Sequence, residues 1–324
     1  MRWRRRSAGD RKRLFFATDI HGSERCFRKW LNAAKALEAD CLLLGGDITG
    51  KAVAPVVEGP NGWHATLNGR TLEARDEAEL DELQTKVRAR GLYAVLLSPD
   101  EAERLGTDDR FYESTFAGAM RETLGRWAEL AGERLAGSDV VACFMLGNDD
   151  PPELAELLAD SGVISYCENE LRELPGDVEM ISCGFSTPTP WHTPRELSEE
   201  DLGARIEELA ARVTRPERAI FNFHCPPRDT HLDQAPSLDD QLRPRVGAGG
   251  LVMESVGSSS VRELIERTEP LLGLHGHVHE STGVQRLGGT VCINPGSDYQ
   301  DGVLRSVVVD VTSEGIAQWQ LLQA

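Results

Sequence analysis

Leu14-Phe15-Phe16-Ala17-Thr18-Asp19-Ile20-His21 is a short apolar run that ends on a carboxylate and an imidazole. The same arrangement recurs along the chain. Cys41–Gly45 runs into Gly46-Asp47, and Val140–Leu146 into Gly147-Asn148-Asp149-Asp150. Ala219–Phe223 runs into His224, and Leu271–His275 into Gly276-His277-Val278-His279. Apolar runs of this length, bounded by turn residues, read as buried strands, which puts each polar group at a strand's carboxyl end. Open α/β sheets bind their ligands at that edge. Carboxylate oxygen, imidazole nitrogen and amide oxygen form a borderline-hard donor set suited to Mn, Fe or Zn. Seven such donors around one shared carboxylate suffice for two divalent ions.

The remainder of the chain is consistent with a soluble α/β protein. At 324 residues and 40% hydrophobic content it can bury a sizeable core. A formal charge of −18 argues against a nucleic-acid surface, which needs clustered Lys and Arg. Residues 1–13 are the exception, with Arg2, Arg4, Arg5, Arg6, Arg11, Lys12 and Arg13, and read as a solvated basic extension before a single domain over 14–324. A secretory signal needs roughly 7–15 apolar residues after its charges. Here the apolar run is short and leads directly into Asp19 and His21. No segment approaches the roughly 18 apolar residues of a membrane span. Seven scattered cysteines suit reduced thiols and a cytoplasmic setting. Nothing in the sequence specifies an oligomeric state.

Between Asp47 and Asn148 the chain spends far more residues than one crossover needs. Val53–Val57 and Trp63–Leu67 flank Gly59-Pro60-Asn61-Gly62 as a hairpin, and Glu73–Arg90 and Asp108–Leu135 read as helices. Residues 51–138 are thus expected to be partly an insertion or cap. Ser23 is the expected N-cap of a helix over Ser23–Leu37, and Glu199–Val213 is amphipathic.

The ordered set D-x-H, G-D, G-N-x-D, H, G-H-x-H, from Asp19 to His279, resembles that of the calcineurin-like metallophosphoesterases. Asn148-Asp149-Asp150, Leu274-His275-Gly276-His277 and Asn294-Pro295-Gly296-Ser297 are similar to a poorly characterised prokaryotic branch of that family. The resemblance implies a four-layer α/β/β/α sandwich of two mixed sheets. It assigns Asp19, His21 and His279 to one metal, Asn148, His224 and His277 to the other, and Asp47 to both. It implies a hydrolase that cleaves a small phosphate ester or nucleotide with a metal-activated hydroxide, a phosphodiester being favoured. A nuclease of the same family and a non-catalytic metal-binding scaffold are the alternatives. The acidic body disfavours the first, and a complete ligand set the second.

One position departs from the pattern. Many relatives carry a histidine after the Asn, thought to protonate the leaving oxygen; here the residue is Asp149. A carboxyl beside two dications is expected to be ionised and unable to donate a proton. Asp149 could orient water or a substrate hydroxyl, another histidine could supply the proton, or the site could be feeble. His275, two residues before His277, is the first candidate donor, followed by His231 and His192. Asp150 is expected to brace its loop, Ser297 to touch phosphate weakly, and Lys51 and Arg228 to offer the nearest cations.

Overall fold

The structure, a computed structural model, describes residues 11–159 and 162–324. Two six-stranded mixed sheets form the body. In spatial order the first holds Gly315–Gln323, Arg305–Thr312, Lys12–Ala17, Cys41–Gly45, Val141–Met145 and Ser165–Tyr166. The second holds Gly283–Leu287, Thr290–Asn294, Leu272–Leu274, Ala219–Phe223, Val178–Cys183 and Leu171–Leu174. The central strands of both are parallel, and only the flanking pairs run antiparallel.

Side-chain alternation on these strands builds the layers. Leu14, Phe16, Leu43 and Met145 point from the first sheet onto Met180, Ile220, Leu274 and Ile293 of the second. Phe15, Ala17, Leu42 and Phe144 point the other way, onto Phe27, Trp30, Leu124 and Trp127 of the Glu24–Ala36 and Asp109–Leu135 helices. Phe27 and Trp127 stack with centroids 4.2 Å apart. The outer face of the second sheet is covered by Leu202, Ile206, Val261 and Leu264 of the Glu199–Ala210 and Ser259–Thr268 helices. The four layers α/β/β/α follow, as the resemblance implied. Strands buried on both faces read as continuous apolar runs, which is why they were legible in the sequence.

Residues 51–138 divide into two parts. Ala52–Gly59, Gly62–Leu67, Arg70–Ala74 and Leu92–Leu97 form a four-stranded sheet backed by the Glu77–Arg88 helix. This lobe has a small core of its own, with Val56, Ala65, Leu83 and Val87. The Asp109–Leu135 helix, in contrast, belongs to the main body through Met120, Leu124 and Trp127. The expected helix from Glu73 starts later, at Glu77, because Asp76 caps it by accepting from Glu79 N. Ser23 caps the Glu24–Ala36 helix as expected.

The basic extension also needs revising at its inner end. Lys12 and Arg13 already lie in the first strand, and buried Arg13 pairs with Asp310 at 2.8 Å. A buried guanidinium is tolerated there because that carboxylate and Leu37 O receive its N–H groups. The expected solvated tail over residues 1–10 lies outside the described residues. No described helix is long and apolar enough to cross a membrane.

Candidate metal centre

Five strand ends converge at one edge. Asp19, Asp47 and Asn148 follow the three adjacent parallel strands of the first sheet, and His224 and His277 follow two parallel neighbours of the second. Turning the chain sharply after each strand demands unusual backbone. Asp19, His21, Asp47 and His277 all have positive φ, between 38° and 68°. Such conformations cost free energy in non-glycine residues and concentrate at functional sites. The motif glycines allow the close approach. A Cβ on Gly147 would overlap the Asp47 carboxylate, and one on Gly276 would overlap Asp19 Oδ2.

The seven ligand candidates meet in this space. His279 Nε2 is 3.4 Å from Asp19 Oδ1 and 3.0 Å from His21 Nε2. His224 Nε2 is 3.4 Å from Asp47 Oδ2 and 3.8 Å from Asp19 Oδ1. His21 Nε2 stands 3.7 Å from the same Asp47 oxygen. Asn148 Oδ1 and His277 Nδ1 face each other at 2.7 Å. Asp19, His21 and His279 form one cluster able to hold an ion, and Asp19, Asp47 and His224 a second. One Asp47 oxygen lies within 3.7 Å of a histidine from each set, His21 and His224, and Asp19 belongs to both clusters.

The donor atoms also fit cations chemically. His224 Nδ1 lies 2.9 Å from Gly45 O, so that nitrogen donates its proton and Nε2 turns into the site. His224 Nε2 is buried without a hydrogen-bond partner. Imidazoles fixed through one nitrogen and bare at the other are characteristic metal ligands. Burial holds His21 down to about 3 and His277 to about 4, so both are neutral donors at pH 7. Burial alone would raise Asp19, but His224 and His279 hold it at about 2. Burial pulls His224 down, yet Asp47 and Asp19 outweigh it and raise the ring to about 10. The protein groups alone therefore keep a proton on His224 that a cation must displace.

The surroundings hold the ligands in place. Asp150 accepts from Ile48 N, Thr49 N, Thr49 Oγ1 and Gly147 N, tying the Asp47 loop to the Asn148 loop. Tyr299 packs its ring 4.7 Å from His21 and edge-on to His279 at 5.9 Å. Asn148 Nδ2 donates to Thr193 Oγ1 at 2.9 Å, and Thr193 Oγ1 donates to Glu196 Oε1 at 2.8 Å. That relay fixes the amide so that its oxygen faces the site. Buried Arg195, ion-paired with Glu168, donates to Gly147 O at 3.1 Å and steadies the same loop. Thr193, Glu196, Arg195 and Tyr299 were not singled out from the sequence. Thr193, Arg195 and Glu196 lie far from the motifs along the chain, and Tyr299, two residues after Ser297, follows a motif that gave no sign of a contact with His21.

The other candidate residues differ in how they meet the site. His275 is buried, with Nδ1 2.9 Å from Phe223 O, and Nε2 faces the space where a Gly273 side chain would be. Burial lowers it to about 4, and it joins none of the ligand clusters among the described residues. The Phe223 contact braces the strand end, and Nε2 is buried without a hydrogen-bond partner among the described residues. Ser297 Oγ donates to Asp19 O at 2.6 Å, so it holds a ligand's backbone rather than phosphate. His231 and His192 are exposed in loops. Asp149 is at the site, its N–H donating to Asp47 Oδ1 at 2.9 Å and its Oδ2 pairing with Lys51 Nζ at 2.6 Å. With the protein groups alone, burial and then Asp47 raise its carboxyl to about 6. Asp149 also clusters with His21 and Asp47, but its Oδ2 already carries the Lys51 ammonium, which makes that corner an ion pair rather than a third cation position.

The two packed mixed sheets have the architecture that the resemblance to the calcineurin-like metallophosphoesterases implied, and the motifs meet at one edge in the order of that resemblance. No family model matches the chain. The crystal structure of TT1561 of Thermus thermophilus covers 97% of this chain and 98% of its own, with a TM-score of 0.52 and 14% identity. Another crystal structure covers 97% and 99%, with a TM-score of 0.58 and 16% identity. At such identities the likeness establishes the fold. An uncharacterized protein of Methanocaldococcus jannaschii is 28% identical over 121 residues, 37% of this chain. That match spans about half, 48%, of the archaeal protein's length.

Proposed function

We propose that this protein is a metal-dependent phosphoesterase that hydrolyses a small phosphodiester, such as a nucleotide or cyclic nucleotide, using two divalent ions. The observation that carries the reading is the convergence of His21 and His224, one histidine from each set, on the same Asp47 oxygen. Asp19, His21 and His279 would hold one ion and Asn148, His224 and His277 the other, with Asp47 available to both. When bound, such ions supply Lewis acidity toward a phosphoryl oxygen and acidify water. Mn, Fe and Zn suit the mixed N/O donors. Seven buried free thiols support a reducing, cytoplasmic setting.

The chain's own residues orient the reaction. Asp150 and the Thr193–Glu196 relay hold the two loops that bring Asp47 and Asn148 together. A cavity of about 430 Å³ beside His279, lined by Glu280, Ser297, Asp298, Tyr299 and Arg305 among others, is large enough for a small ester. The test is turnover of the Mn-, Fe- or Zn-loaded protein on matched monoesters and diesters. Diester kcat/KM above that of the monoester is expected. Monoesters cleaved preferentially, or neither cleaved with any metal, would contradict the reading.

A further inference from the structure

Lys51 stands out among the charged groups at this edge because its position is built from both sides. On its amino side, Thr49 is held by Asp150 through its N–H and hydroxyl, and Gly50 N donates to Tyr93 Oη at 2.7 Å. Buried Tyr93 belongs to the Leu92–Leu97 strand of the inserted sheet. On the carboxyl side, Ala52 begins the first strand of that sheet. Lys51 is therefore the residue at which the inserted lobe joins the metal-binding loop. Its Nζ reaches back to Asp149 Oδ2 at 2.6 Å, and the same oxygen lies 3.9 Å from His21 Nδ1. The lysine side chain is 50% exposed, so the ammonium keeps donor capacity toward the open side of the site. An ammonium has three N–H donors, and Asp149 needs one.

We propose that Lys51 is a catalytic residue that stabilises the negative charge developing on the leaving oxygen, with Asp149 as its positioning residue and the inserted sheet as its support. The inference rests on the phosphoesterase reading above. In the step, the oxygen of a water forms a new bond to phosphorus and gives up a proton to solvent. The bond from phosphorus to the leaving oxygen breaks, and its electron pair stays on that oxygen. Lys51 donates a hydrogen bond to this oxygen as charge builds, and solvent water then supplies the proton that makes the free alcohol. Lys51 remains an ammonium throughout. A preorganised donor aimed at developing charge is worth about 10²–10³ in rate. The assignment gives Asp149 a role other than proton donation, and gives the insertion a part in chemistry.

The experiment compares native protein, Lys51→Ala and Lys51→Arg, each Mn-loaded, on phosphodiesters with p-nitrophenyl and alkyl leaving groups. Metal content is measured in the same samples. Lys51→Ala should lower kcat on the alkyl ester about 10²-fold but on the p-nitrophenyl ester less than about tenfold. Lys51→Arg should recover most of the loss, and all three proteins should bind equal metal. An equal loss on both esters would overturn the proposal in favour of general phosphate binding, and loss of metal from both variants would overturn it in favour of a structural role. No turnover of either ester by the loaded native protein would overturn the phosphoesterase reading, and this proposal with it.

Discussion

Lowering the pH from 8 to 6 should strip cations from this site, to an extent that the His224 environment sets. Burial depresses that ring, but Asp47 at 3.4 Å and Asp19 at 3.8 Å hold it up at about 10. Its Nδ1 is committed to Gly45 O, so the displaceable proton is the one on Nε2. Throughout this interval the metal-free ring is protonated, and a cation takes Nε2 only as that proton leaves. One proton released per binding event lowers apparent affinity tenfold per pH unit, hence about a hundredfold, or roughly 2.7 kcal/mol, over two units. His279, which Asp19 raises against the effect of burial, acts in the same direction. Asp19 at about 2, His21 at about 3 and His277 at about 4 are already deprotonated and add nothing. Titration calorimetry with Mn²⁺, in buffers of differing ionisation enthalpy, counts the protons directly. At least one proton released per chain at pH 7 is expected, with a slope of a decade or more per pH unit. A count of zero with flat affinity between pH 6 and 8 would refute the argument. The same proton gives the metal-free fold a stability term. Because the folded pKa is raised, that term is complete below the ordinary histidine range and disappears as pH rises through about 10. Metal-free protein should therefore melt lower at pH 10 than at pH 7.

Asp47→Asn should abolish turnover and reduce metal at both positions, whereas Asn148→Ala should weaken chiefly one; elemental analysis of the purified variants separates them. Two ions and ordinary activity in Asp47→Asn would remove Asp47 from the shared position. Thr193→Val deletes the acceptor that fixes the Asn148 amide. Loss of a group that orients a ligand costs about 10–100-fold in metal affinity, readable by competition with a chelator, while the melting temperature of the metal-free protein should change little.

What the sequence disclosed of this molecule follows from what it buries. Cys41–Gly45 and Ala219–Phe223 were readable to the residue because strands buried on both faces leave largely apolar runs. The Arg70–Ala74 strand was missed: three of its residues are exposed and only Ala74 is buried, so it gives neither a run nor an alternation. The ligands were legible because a strand end followed by Asp, Asn or His is unusual and recurs in a fixed order. The positive-φ turns at Asp19, His21, Asp47 and His277 left no local mark, nor did the Thr193–Glu196 relay, whose partner Asn148 lies 45 residues away along the chain. The positive φ of His277, beside His275, likewise had no counterpart in the strand alternation that placed the two on one face. Lys51 was noted only as a nearby cation. Its contact with Asp149 spans the whole insertion and required the fold to be seen.

The central claim is a two-ion centre that cleaves phosphate esters, and metal stoichiometry with turnover in one sample tests it most directly. Native protein loaded with Mn²⁺, freed of excess metal and analysed for bound ions should hold two per chain and hydrolyse a p-nitrophenyl phosphodiester. Chelation should remove both ions and the activity together, and readdition of metal should restore both. A single bound ion, or hydrolysis that persists after the metal has been removed, would contradict the account.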